Sequence, residues 1–195
     1  DLSRAEDLRL EGRAAEAAAI VARIARGEPS NLVLRLLVAR TALEAGALDA
    51  ADEALAGARA LAPDDLEGLL LSARVALRRG GGDPSIDGMR AALARLEAAP
   101  PGTRNRLADL ERTSRGELIA ALLAAGRDAE ALRLFARGVE LSGRAPFYLS
   151  YYAWALARAG RIKEARAGLA ELEARAKTEY VQHLHLAVVY SALRE

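Results

Sequence analysis

The stretch LVLRLLVARTALEAGALDAADEALAGARALAPDD, residues 32–65, decides how the rest of the chain is read. Apolar residues recur three and four apart on both sides of Gly46, the spacing of a helix stripe. The spacing predicts one helix from Leu32 to Ala45, ended by Gly46 as a glycine C-cap. A second helix is expected from Asp49 to Leu61, stopped by Pro63. Asp64 and Asp65 then offer N-caps for a helix that begins near Leu66. Helices this short are marginal alone in water. The two must therefore bury their stripes against each other and against a neighbouring pair.

Outward from this stretch the same spacing returns. Gly12, Gly46 and Gly80 lie 34 residues apart, and so do Gly126 and Gly160. A fixed period of this length marks an array of helical hairpins. Small residues keep the same phase: Ala5, Ala39, Ala73, Ala153 and Ala187 in the first helices, Ala17, Ala51, Ala131 and Ala165 in the second. Large residues follow them at Val21, Leu55, Phe135 and Leu169, and Pro29 and Pro63 close two units.

This pattern resembles the tetratricopeptide repeat family over nearly the whole chain. The resemblance implies an all-α fold, a right-handed α-solenoid of antiparallel helix pairs with about 10–11 helices. The implied units are residues 1–31, 32–65, 66–101, 102–145 and 146–179, followed by a terminal helix over 180–195. It also implies that the first helix of each pair lines a groove that receives peptides.

The chain departs from the pattern in places. Ile119 stands where a small residue is expected, and Gly143 and Lys177 replace closing prolines. Gly80 and Gly126 are 46 residues apart, so about 12 extra residues sit between them. Some form a longer turn, where Asp83 is expected to cap a helix and Pro84 to open it. The rest fall between Pro100 and Arg115. Residues 103–125 read either as one long helix, the reading we favour, or as a short helix before a break. Ser114 and Glu117 fit a capping box at such a break. Both ends read as cut, and the chain opens at Asp1 without Met or a signal peptide, as an excised or processed piece would. The terminal helix is apolar around much of its circumference. Either more chain continues the array or this face meets a partner, self-association included.

Composition excludes several classes. Hydrophobic residues make up 52% of the 195, too many for a disordered chain. No apolar run is long enough to cross a membrane, and the compartment, cytoplasmic or periplasmic, is not readable. The 28 basic and 27 acidic residues leave a net charge of +1, without the basic excess of a nucleic-acid binder. Lys occurs only at 163 and 177 among many Arg, and Ala is abundant, as in a GC-rich bacterial genome. There is no Cys, so no disulfide or thiolate metal site.

No catalytic motif is present, and no cofactor or metal is expected. Gly80 to Gly82 follows a helix and reads as a turn rather than a phosphate loop. His183 and His185 lie two apart on one helix, a spacing that points them in different directions. Arg112, Thr113 and Ser114 read as a helix cap rather than a modification site.

The resemblance places Leu36, Arg40, Leu70, Arg74 and Arg78 on the groove in units two and three. It adds Phe147, Tyr151 and Trp154 in unit five, with His185 and Val188 on the terminal helix. An apolar, aromatic groove with interspersed Arg suits a peptide or helix. The competing reading has Tyr148, Tyr152 and Leu156 in the core with Trp154 merely covering a neighbouring helix. Arg74 and Arg78 share a face and suit an acidic ligand, or pair locally with Glu67. The Lys and Asn positions with which some family members clamp the C-termini of chaperones carry mainly Leu, Arg and Glu here.

The expected function is a non-catalytic protein-interaction scaffold, binding a protein or peptide partner. Its expected setting is a bacterial envelope, secretion, polysaccharide-export or regulatory assembly. The alternatives are a regulatory or substrate-recruiting array fused to an enzyme, and an RNA-binding helical repeat. Near-zero net charge and the lack of a recurring base-reading position argue against the last.

Overall fold

The structure, a computed structural model, describes residues 2–194. Twelve helices and no strand are found among the described residues. By contacts the chain divides into two units, Asp1–Leu118 and Ile119–Glu195.

The first unit contains α1 (Leu2–Leu10), α2 (Ala14–Arg26), α3 (Leu32–Glu44), α4 (Leu48–Leu61), α5 (Leu66–Arg78), α6 (Gly82–Glu97), the short α7 (Pro101–Arg106) and the first part of α8 (Ala108–Ala124). Successive helices pair as hairpins, α1 with α2, α3 with α4, α5 with α6, and α3 also touches α5. The stretch that decided the fold behaves as its residues dictate. Gly46 sits at φ +75°, in the left-handed region that a side chain disfavours. The turn there is a Schellman motif: Gly46 N–H donates to the Leu43 carbonyl at 3.1 Å and Ala47 N–H to that of Ala42 at 2.8 Å. Asp65 caps α5, accepting from Gly68 N–H at 2.9 Å, and Asn31 caps α3 by accepting from Leu34 N–H at 3.2 Å.

The second unit holds the end of α8, α9 (Asp128–Leu141), α10 (Pro146–Arg158), α11 (Ile162–Arg175) and α12 (His183–Leu193). Here α10 is central and packs on α9, α11 and α12. Gly138 and Gly168 let helices close in. A Cβ on Gly138 would stand 2.5 Å from the Tyr148 ring, and one on Gly168 3.0 Å from the Ala153 Cβ. Arg194 takes the left-handed conformation, φ +60°, at the place where the ladder of turn glycines would continue.

The repeat positions form the core. Ala17, Ala39, Ala51, Ala131, Ala153 and Ala165 are wholly inaccessible, and Val21, Leu55, Phe135 and Leu169 are buried beside them. Ala187 breaks the series and is exposed.

The insertion differs from the expectation. Residues 103–125 are not one helix: α7 and α8 are separated at Leu107, which is 2% exposed. Apolar burial holds Leu107 at the corner. The break is not at Ser114, which lies inside α8, fully buried, with no hydrogen-bond partner for its hydroxyl. Asp83 is likewise inside the first turn of α6 rather than at its cap.

Candidate protein-interaction surfaces

In the first unit, α1, α3, α5, α7 and the start of α8 surround a cleft of about 350 Å³. Its chemistry is set by two ion-pair groups. Glu67, only 6% exposed, lies between Arg40 and Arg106. Arg106 reaches it at 3.4 Å while remaining more than half exposed. Glu117 of α8 takes both ends of the Arg74 guanidinium fork at 2.9 Å and two N–H groups of Arg78 at 3.0 and 2.7 Å. Arg78 also donates to the Leu43 carbonyl at 2.7 Å, close to the negative end of α3. Burial disfavours the ionised Glu117 carboxylate. The hydrogen bonds and charges of Arg74 and Arg78 outweigh that, and hold it below the ordinary carboxylate range. Nearby, Arg115 is buried inside α8 and pairs with Glu97 at 2.9 Å and Glu111 at 2.7 Å.

This geometry corrects four of the positions read from the sequence. Leu36 and Leu70, at 6% and 0% exposure, belong to the core and present nothing to a partner. Arg74 is 5% exposed, and its two-pronged partner is Glu117, not a ligand and not Glu67. His185, in the second unit, is 8% exposed and packs inward. Arg40 and Arg78 remain partly accessible.

Sequence reasoning missed Glu117 and Arg106 because their partners are 43 and 39 residues away across the insertion. No periodicity links them. The favoured reading of a helix continuous through Ser114 already put Glu117 mid-helix, but nothing local shows that it faces Arg74.

In the second unit the aromatic residues of α10 form a stripe one helix turn apart. Phe147 is exposed, and Tyr151 and Trp154 are half-buried. The Phe147 ring lies 5.1 Å from Tyr151 and 5.3 Å, edge-on, from Tyr148. The Arg158 guanidinium stands over the Trp154 ring at 5.1 Å, a cation–π contact. Of the residues read as the competing core, Leu156 is buried, while Tyr148 and Tyr152 are only half-buried. His185 of α12 meets the edge of Phe147 at 6.1 Å. Ser150 Oγ–H donates to the Phe147 carbonyl at 2.9 Å, so its lone pair accepts from His185 Nδ1–H at 3.3 Å.

Burial lowers the pKa of His185. An unfolded histidine binds its proton with a pKa of about 6.5. The neutral ring therefore contributes stability that is complete above that value and is lost as pH falls below it towards the folded value. Thermal melts are expected to show a loss as pH falls below about 6.5 that His185→Gln removes. Equal pH dependence in the variant would exclude His185 as its source.

Among the described residues, no group of three or more His, Cys, Asp or Glu is placed to hold a metal ion. No helix of the structure is long and apolar enough to cross a membrane.

Paired helices joined by left-handed glycine turns around an alanine-rich core define a helical-hairpin repeat protein, a class whose fold suggests protein interaction. Residues 8–75 match the model of the tetratricopeptide repeat family. The helical hairpins of the structure have the α-solenoid fold class to which that family belongs. The chain's fold is similar to that of the APC/C hetero-tetramer Cut9-Hcn1, with a TM-score of 0.70 and 18% identity over 97% of this chain. The chain spans only 35% of that relative's length. A thermophilic tetratricopeptide repeat protein of Thermus thermophilus is similar over 100% of this chain and 97% of its own, with a TM-score of 0.63 and 21% identity. The MamA protein matches at a TM-score of 0.62 and 17% identity, over 91% of this chain and 92% of its own. No curated protein sequence matches the chain significantly.

Proposed function

We propose that the chain is a non-catalytic scaffold that receives a segment of a partner protein on the aromatic face of its second unit. The observation that carries this reading is the stripe of Phe147, Tyr151 and Trp154, accessible on a helix that also supports the core. Aromatic side chains at such positions dominate binding energy in protein interfaces. Leu184, 59% exposed, and the half-buried Val188 add apolar surface from α12. Neither α10 nor α12 carries an acidic residue, and Arg158 at the end of the stripe has the Trp154 ring as its contact. The face therefore suits an amphipathic partner segment with a carboxylate near one end. A bacterial assembly of the envelope, secretion, export or regulatory kind is the setting proposed for it.

A photo-crosslinking residue at Tyr151 is expected to capture a discrete partner in the source cells. Purified, that partner should bind the Phe147→Ala/Trp154→Ala variant at least about tenfold more weakly, as loss of interface anchors predicts. Both side chains lie partly outside the core, so the helical circular-dichroism signal should persist. Unchanged affinity in the folded double variant would remove this face from the binding site.

A further inference from the structure

On the reading that the aromatic face of α10 receives a partner, we propose that protonation of His185 releases α12 from α10 and makes binding on that face acid-sensitive. The buried residues of α12 are His185 and Val189, one helix turn apart. Val189 packs in an apolar cluster with Val181, Leu149, Ala153, Leu169 and Leu172. His185 is thus a polar ring in a place that the surrounding packing would fill with an apolar side chain. The neutral form suits it. Nδ1–H has the Ser150 hydroxyl oxygen as acceptor at 3.3 Å, and the ring stands perpendicular to that of Phe147. Ser150 is itself fully buried and already donates to the Phe147 carbonyl.

A second proton would charge this ring with no acid to balance it. On α10 the titratable or charged groups are Tyr148, Tyr151, Tyr152 and Arg158. The phenols gain no charge in acid, and Arg158 lies against Trp154, two turns beyond Ser150. On α11, Glu164 is held by Arg161, Glu171 by Arg144, and Arg175 by Glu179. Glu173 accepts from the Tyr190 hydroxyl, more than a turn past His185. Lys163 and Arg166, exposed at the start of α11, add only positive charge. α12 itself contributes His183, exposed and two residues away. Burial alone shifts the proton affinity of His185. The imidazolium must therefore stay charged in apolar surroundings or turn out to water, breaking the contact with Ser150. Either way α12 loses a tie to α10. Leu184 and Val188 leave the aromatic face with it, and Phe147 loses the ring it rests against. A loosened α12 exposes His185, which then binds its proton at the ordinary pKa of about 6.5. Because burial lowers the folded value, acid favours the loosened form and neutral pH the docked one.

The test measures amide hydrogen-exchange protection of α12 in the whole chain at about pH 7 and about pH 5, corrected for intrinsic exchange rates. Protection of α12 is expected to fall in acid by at least about threefold relative to α9 and α11. His185→Gln should abolish that fall, and His183→Gln, which changes an exposed ring on the same helix, should keep it. The partner captured through Tyr151 should bind the wild type more weakly at the lower pH by a similar factor. Acid effects that arise in the partner persist with His185→Gln, so the difference between the two proteins isolates His185. Three results would overturn the switch: α12 protection independent of pH in the wild type, an equal fall in His185→Gln, or the same acid loss of affinity in both proteins. The first needs only the wild type, so it decides the matter even where the variant does not fold. Affinity indifferent to Phe147→Ala/Trp154→Ala would instead overturn the aromatic-face reading on which the gating rests, whereas the pH response of α12 is read without any partner.

Discussion

Replacement of Glu117 by alanine is expected to destabilise the first unit by about 3–5 kcal/mol, the usual cost of removing one member of a buried ion pair. The loss comes less from the contact than from what remains. Arg74, 5% exposed, would keep its full charge in the core with no counter-ion. Arg78 would lose the same partner but is accessible enough to turn to water. Glu117→Gln should cost less, because its amide oxygen still accepts one hydrogen bond. Arg74→Met in the Glu117→Ala background should recover part of the loss by removing the stranded charge. Acid has the same effect as the mutation. The folded pKa of Glu117 is depressed, so its contribution is complete above the unfolded value of about 4.3 and disappears as pH falls through the folded value. Urea denaturation of the wild type and the three variants measures this directly. A Glu117→Ala variant as stable as wild type would mean that the ion pair is not held as described.

The second large effect is expected at Leu70. A groove residue would lose partner affinity on truncation and leave stability alone. Leu70 is completely inaccessible, so Leu70→Ala removes apolar burial and opens a cavity, together about 2–5 kcal/mol. In a chain of this length each kcal/mol shifts the melting temperature by about 2–4 °C. A fall of roughly 7–14 °C is therefore expected for a loss near the middle of that range. Val33→Ala is the control: Val33 is 72% exposed, and its change should stay within about 0.5 kcal/mol. Each repeat leans only on its neighbours, so the damage should start in the α3–α6 region, visible as faster amide exchange there. A melting temperature unchanged by Leu70→Ala would return Leu70 to the surface.

The hairpin architecture was legible from residues alone because its determinants are local and recur. A glycine in the left-handed conformation ends a helix whatever lies around it, and Gly12, Gly46, Gly80, Gly126 and Gly160 all adopt it. Alanines at helix crossings and the larger residue beside them repeat with the same phase, so one unit explains the others.

Facing was harder to read. Arg40 and Arg74 occupy the same place in successive repeats, yet the Arg40 side chain is 42% exposed and that of Arg74 6%. Periodicity makes them equivalent, but α8 brings Glu117 onto the second and not the first. The insertion was found by its length and not by its shape. Whether α7 and α8 form one helix or two turned on how deeply Leu107 could be buried, and that depends on neighbours distant in sequence.

By itself, then, the sequence determined the helices, their turns and the core that joins them, since short-range sterics and a repeated apolar stripe act within about one hairpin. Only the tertiary structure decided which arginines are spent on Glu67 and Glu117, which helix positions reach solvent, and that an irregular segment walls a charged cleft. Those outcomes follow from contacts between residues 27 to 43 apart, where burial and electrostatics depend on the whole surrounding packing and no local pattern records them.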